Sequence, residues 1–285
     1  LGNRDRLLAC SSPTGPAFEG AQISSGQRAA AGAIERVRID PISLAPRFKV
    51  IGSDLWSDAP GFASSVAGIG VTGICGSGII EALAEMFLCG LITVDGLIDP
   101  GKAALTPRLV RDGKTYCYLL HAGPPEIRII QLDIRNIQLA KAAAYAGARL
   151  LMKKMAVEKV GKIVLTGAFG SYMDPKYAMI LGLIPDCPLE HVSAAGNAAG
   201  TGARIALLNK EARREIAVVA REVEKIETAL APDFQDEFVG AMAFPHNSHP
   251  FPNLGKIVAL PQRGSTGVQG RRGGRRRGRN RVIDQ

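Results

Sequence analysis

The stretch "KIVLTGAFG", residues 162–170, decides how this chain folds. Ile163, Val164 and Leu165 are a continuous apolar run, and glycines follow at 167 and 170. Such a run, with no polar alternation, reads as a central parallel strand buried on both faces. Glycine lets a backbone turn tightly or come close to a ligand. "DPKYAMILG" (174–182) then reads as a short helix, with Asp174 as its N-cap and Pro175 at its first position. Strand, glycine turn and helix in that order point to an α/β protein.

Downstream lies "SAAGNAAGTGARIALL", residues 193–208. From Ser193 to Ala203 every residue is small or, at Asn197, short and polar, and an apolar helical pattern follows to Leu208. A charged helix (210–220), an edge strand "EKIETAL" and a last helix "PDFQDEFVGAMAF" complete this half. Upstream, "RLLAC" (6–10) reads as a strand, Pro16 opens a helix through about Ile23, and "GAIERVRI" (32–39) reads as a strand. In "GICGSGIIEALAEMFLCG" (73–90), Ile80, Leu83, Ala84 and Phe87 share one helical face and Glu81 and Glu85 another. Ser77 is placed to cap this helix and Gly90 to end it. Residues 91–130 read as strand pieces and turns. Asp133 opens the longest helix, to about Met155, with Ile134, Ile137, Ala140, Ala144, Ala148, Leu151 and Met155 as its buried stripe.

Composition sets the limits. The 285 residues are 46% apolar and 21% charged, ordinary for a protein with a core. Aromatics reach only 5%, against 33 glycines, which suits an α/β core of Ala, Ile, Leu and Val. The formal charge of +9 is misleading. From Arg263 onward eight Arg stand against one Asp, a net +7, which leaves +2 for the rest. The basic residues belong to a low-complexity tail, read as disordered, and the boundary falls at 246. The tail lacks interleaved aromatics, so nucleic acid is not expected as a partner. Five scattered cysteines with no CxxC exclude a zinc or iron–sulfur signature within the chain. No run is long enough to span a bilayer, and a cytoplasmic protein is expected.

Three glycine turns sit at helix starts: "GICGSGI", "LTGAFGSYMDP" and "GNAAGTGARIAL". Helix N-termini attract phosphate, so three such turns in one domain suggest a nucleotide cleft. Close helix–strand packing explains any single turn equally well. None matches GxxxxGK[ST] or GxGxxG. Glu19 in "GPAFEG" either orients water or metal or merely finishes a helix turn. Cys75 reads as a small buried residue. His246 and His249 in "HNSHP" read as exposed and incidental.

Seven segments in order, "ACSSPTGPAFEGAQI", "GICGSGIIEALAE", "DIRNIQLAKAA", "VLTGAFGSYMDP", "LGLIP", "GNAAGTGARIALL" and "FVGAMAFP", resemble the C-terminal part of the reductive activators of corrinoid proteins. The resemblance runs from Leu1 to Pro245. It implies the fold of the acetate and sugar kinase/Hsp70/actin superfamily: here the second RNase H-like half, a mixed sheet flanked by helices. It implies ATP with Mg²⁺ as cofactors. Gly167 would lie beneath the nucleotide, with Ala168 and Gly170 shaping the approach. Gly196 and Asn197 would face it, while the small residues 198–203 let two helices cross closely. Gly76, Ser77 and Gly78 would line the same cleft, and Glu19 would be the one catalytic carboxylate.

The implied function is ATP-dependent return of an inactive Co(II) corrinoid protein to Co(I) for methyl transfer. The corrinoid protein and its methyltransferase would be the partners, and a homodimer is among the expected assemblies. The family's N-terminal [2Fe–2S] domain and its Asp-Gly-Thr phosphate loops are absent from these residues. The resemblance places them before Leu1, so this half-site is not expected to hydrolyse ATP by itself. The alternatives are a small-molecule kinase of the same superfamily and a non-catalytic polyanion-binding module.

Overall fold

A computed structural model describes residues 1–262. Its strands are β1 (Leu8–Cys10), β2 (Ala33–Ile39), β3 (Pro46–Val50), β4 (Gly73–Ile74), β5 (Leu109–Asp112), β6 (Thr115–His121), β7 (Ile127–Ile129), β8 (Ile163–Leu165), β9 (Val192–Ala194) and β10 (Glu224–Ile226). Its helices are α1 (Phe62–Ser65), α2 (Gly76–Leu88), α3 (Gln131–Lys154), α4 (Gly167–Tyr172), α5 (Pro175–Leu181), α6 (Ala198–Leu208), α7 (Lys210–Glu222), α8 (Phe234–Gly240) and α9 (Pro252–Gly255). The chain is thus mixed α/β, with parallel and antiparallel strands flanked by helices.

The core is built around β2 and α2. β2 runs antiparallel to β3 and parallel to β4, with Val37 opposite Phe48 and Ile34 opposite Ile74. Its inward Val37 and Ile39 are buried while Arg36 and Arg38 point the other way, the two-residue period of a half-covered strand. α2 lies on β2 so closely that a Cβ on Gly78 would stand 2.2 Å from the carbonyl oxygen of Ile34. β5, β6 and β7 form an antiparallel meander, β1 pairs in parallel with β10, and β8 pairs in parallel with β9.

Several expectations hold. α5 begins as read: Asp174 accepts a hydrogen bond from the Lys176 N–H, and Pro175 and a left-handed Gly182 bracket the helix. Gly90 turns left-handed just after α2. Asp133 sits in the first turn of α3, where its carboxylate accepts the N–H groups of Ile130 and Ser24.

Others are corrected. The Pro16 helix is only a 3-10 turn, Ala17–Glu19, ended by left-handed Gly20. Ser77 does not cap α2. Cys75 holds the N-cap position without a side-chain capping bond, and its thiol donates to the Ile34 carbonyl. α3 buries more than one stripe: Ala142, Ala143, Tyr145 and Ala146 are covered, while Ala144, Ala148 and Met155 are half-exposed. The cause is packing on several sides, by α8, by β1 and by the 3-10 turn. β8 is not a central buried strand. Among the described residues its strand partner is β9 alone, and Val164 is 49% exposed. The folded body also continues past residue 246, since His246, Phe251 and Leu254 are buried. The arginine tail lies outside the described residues.

Candidate functional site

The carboxyl ends of the parallel pair β8–β9 carry two of the three glycine turns. Ala195 N donates to Leu165 O at 2.8 Å, and Gly167 N donates to Gly196 O at 2.9 Å. The two turns are therefore clasped backbone to backbone. Both glycines are left-handed, with φ of +89° at Gly167 and +62° at Gly196, a conformation costly for other residues. Among the described residues, a Cβ on either would meet nothing within 4 Å. α4 starts at Gly167, with Ala168 as its second residue, and Gly170 settles back onto Leu165. Asn197 accepts the Gly200 N–H at 2.9 Å and so starts α6. The structure thus brings Gly167, Gly170, Gly196 and Asn197 together as a bare backbone ledge.

It does not add the third turn in the same manner. Gly76, Ser77 and Gly78 are buried in the first turn of α2 against β2. The close approach of Gly78 to Ile34 explains that glycine by packing alone. Glu19 is exposed on the 3-10 turn that packs against α2 and α3. Among the described residues the small stripe of α6 has no close helix crossing: α6 has no buried residue, and a Cβ on Gly202 would meet nothing within 4 Å.

Beside the ledge the structure adds residues that the motif reading passed over. Arg36, Arg38, Tyr172, Met173, Asp174 and Ala194 line a cavity of about 490 Å³. Glu81, 1% exposed, accepts from Arg36 at 2.8 Å, from Arg38 at 2.5 Å and from the Val37 N–H at 3.0 Å. Two guanidiniums share one carboxylate, and Asp174 brings a second negative charge to the same lining. Arg38 also lies over the Tyr177 ring, 4.7 Å from its centroid. Burial, and then the hydrogen bond to Glu85, push the Tyr177 hydroxyl well above its ordinary range, so it stays protonated. The signal available in the sequence was the spacing of Arg36 and Arg38, which puts both on one strand face.

A different group gathers near the amino ends of β8 and β9. Glu237, His246 and His249 bring ligand atoms within 4.8 Å of one another. The two imidazoles are stacked, 3.9 Å apart and 6° from parallel. His246 Nδ1 accepts the N–H groups of Ser248 and His249, which assigns the proton to Nε2. Glu237 is already paired with Lys153 at 2.9 Å. Parallel rings, a protonated Nε2 and a carboxylate engaged by lysine suit a divalent cation poorly. "HNSHP" is nonetheless a packed segment, contrary to its reading as exposed.

A mixed α/β body with sheets flanked by helices, and a glycine clasp at the carboxyl ends of a parallel pair, is an arrangement of the actin-like ATPase (ASKHA) class. Residues 1–255 match the family described as the C-terminal domain of RACo, the ASKHA domain, and the chain belongs to that family. It is 36% identical over 259 residues to a corrinoid activation enzyme, RamQ, of Eubacterium limosum, covering 87% of this chain and 41% of the relative. It is 24% identical to a [Co(II) methylated amine-specific corrinoid protein] reductase of Methanosarcina barkeri, covering 90% of this chain and 46% of the relative. The solved structure of a reductive activator for corrinoid, iron–sulfur protein superposes with a TM-score of 0.74 at 35% identity, over 86% of this chain and 38% of that one. The chain spans less than half the length of each. Among the described residues no helix is long and apolar enough to cross a membrane.

Proposed function

We propose that this chain is the ATP-facing lobe of a reductive activator that returns Co(II) corrinoid proteins to Co(I). The observation that carries the reading is the Gly167–Gly196 clasp, left-handed at both glycines, in a chain of the ASKHA family. A flat base can lie on bare backbone there, with Gly170 and Asn197 holding the two turns in place. ATP bound to this ledge would supply the free energy for an uphill one-electron transfer. The electron itself would come from a [2Fe–2S] centre outside these residues, and Co(II) would be the acceptor. Mg²⁺ would arrive with the nucleotide, its phosphates gripped by groups this chain does not carry.

The relatives' names support the corrinoid protein as partner. The proposal extends to the methyltransferase that uses the reactivated cofactor and to a cytoplasmic setting. Titration of the purified chain with ATP tests the reading. Saturable binding is expected, weakened about tenfold or more in Gly167→Ala, where a methyl group stands in the ligand's place. The left-handed φ makes this substitution cost about 1–2 kcal/mol of stability, so folding is checked alongside. Absence of binding both to ATP and to a Co(II) corrinoid protein would remove the proposal.

A further inference from the structure

The amino ends of β8 and β9, opposite the glycine ledge, border a cavity of about 740 Å³. Its walls are the segments leading into the two strands (158–161 and 185–191), residues 249–256, and Tyr145, Arg149 and Met152 from one face of α3. Prolines at 185, 188, 250 and 252 stiffen the wall, which lowers the ordering cost of binding. The volume lies in the range of small-ligand sites.

Arg149 is the side chain that asks for a ligand. It is 20% exposed, and its buried Nε has no hydrogen-bond acceptor. Its direct contacts among the described residues are the Met152 sulfur at 3.8 Å from Nη1 and a Glu237 oxygen at 3.9 Å from Nε. The sulfur is a weak acceptor and the carboxylate a long ion pair, so the buried Nε itself makes no hydrogen bond. The neighbouring carboxylates are engaged elsewhere. Glu237 pairs with Lys153, and Asp186 accepts three bonds, from Asn253 N, Asn253 Nδ2 and Leu254 N. A second buried donor nearby, His246 Nε2, also lacks a partner. Lys159 and Lys256 add positive charge at the exposed rim, against Glu158.

A buried guanidinium N–H without a hydrogen bond is costly, and the planar fork it belongs to matches an oxyanion. We propose that this cavity is a second, nucleotide-independent site that binds a small oxyanion, carboxylate or phosphate, through Arg149. The apolar part of the ligand would rest on Met152, Val160 and the prolines. It lies at the opposite end of β8 and β9 from the ledge, so occupancy of one does not block the other.

Calorimetric titration with inorganic phosphate and, separately, with butyrate tests this, each against sodium chloride of equal ionic strength. Saturable binding of at least one is expected, and which one binds tells the two sources of oxyanion apart. Arg149→Gln should weaken it about tenfold or more, while Arg149→Lys, which keeps charge without the fork, should weaken it less. Should Arg149→Gln fail to fold, the exposed pair Lys159→Gln/Lys256→Gln must lower affinity in its place. Absence of saturation with both anions, full binding in the variants, or competition with ATP would each overturn the proposal.

Discussion

Burial of a titratable side chain leaves a pH signature, and His246 offers the clearest one. The ring is 8% exposed, and burial, then His249, Lys141 and Arg149, hold its pKa down to about 3. The unfolded value is about 6.5. The folded chain therefore takes up this proton later than the unfolded one as pH falls. Its contribution is complete above about pH 6.5 and is lost progressively below that, down to the folded value. His249 and His121, also depressed by burial, act in the same direction. Urea unfolding at pH 7 and pH 5 should show wild-type stability falling, with about 1–2 kcal/mol of the fall due to His246. His246→Asn keeps an acceptor for the Ser248 and His249 N–H groups but carries no proton. Its stability should fall by that much less, and an unchanged slope would show that His246 does not titrate on unfolding.

At the scale of elements, α2 shows what a sequence pattern can and cannot reveal. Its length, its apolar face and the Gly90 stop were legible from local rules alone. The roles of Glu81 and Glu85 were not, because nothing within the helix names their partners. Both are buried: Glu81 gathers Arg36, Arg38 and the Val37 N–H, and Glu85 accepts from the Ile39 N–H and the Tyr177 hydroxyl. Those partners come from β2 and α5, some 40 to 90 positions away in sequence, so only the tertiary fold reveals them. The glycine turns divide for a similar reason. "CGSG" and "LTGAFG" look alike as text, yet a Cβ on Gly78 would meet the Ile34 carbonyl and one on Gly167 would meet nothing within 4 Å among the described residues. Glu81→Gln should leave two guanidiniums without a counter-charge. Because the arginines are about a third exposed, the expected loss is about 1–3 kcal/mol rather than the larger cost of a fully buried pair. The urea midpoint should drop with the slope unchanged. Arg36→Gln, which still leaves Arg38 on Glu81, should cost less. Equal losses would mean that the Arg38–Glu81 pair contributes nothing.

Across the whole molecule, burial is uneven. α2, α5 and much of α3 sit in one core, while α6 and α7 have no buried residue. Leu207 and Leu208 are 74% and 82% exposed, and Ile205, Ile216, Val218 and Val219 exceed 40%. The sequence announced both helices correctly, but the small stripe at 198–203 was read as a helix crossing, and these residues hold no such neighbour. Their stability in this chain rests on local propensity, on the Asn197 and Asn209 caps and on their mutual contact. Amides of 198–222 should therefore exchange through local opening, well before those of α2 and α3. Leu207→Ser/Leu208→Ser should leave the melting temperature of this chain nearly unchanged, within about 0.5 kcal/mol, since neither side chain leaves a packed site. The same pair should abolish any association that covers this face, and light scattering at rising concentration would register that. A large drop in melting temperature would instead place the α6–α7 hairpin inside the cooperative core, with its exposed leucines already packed in solution.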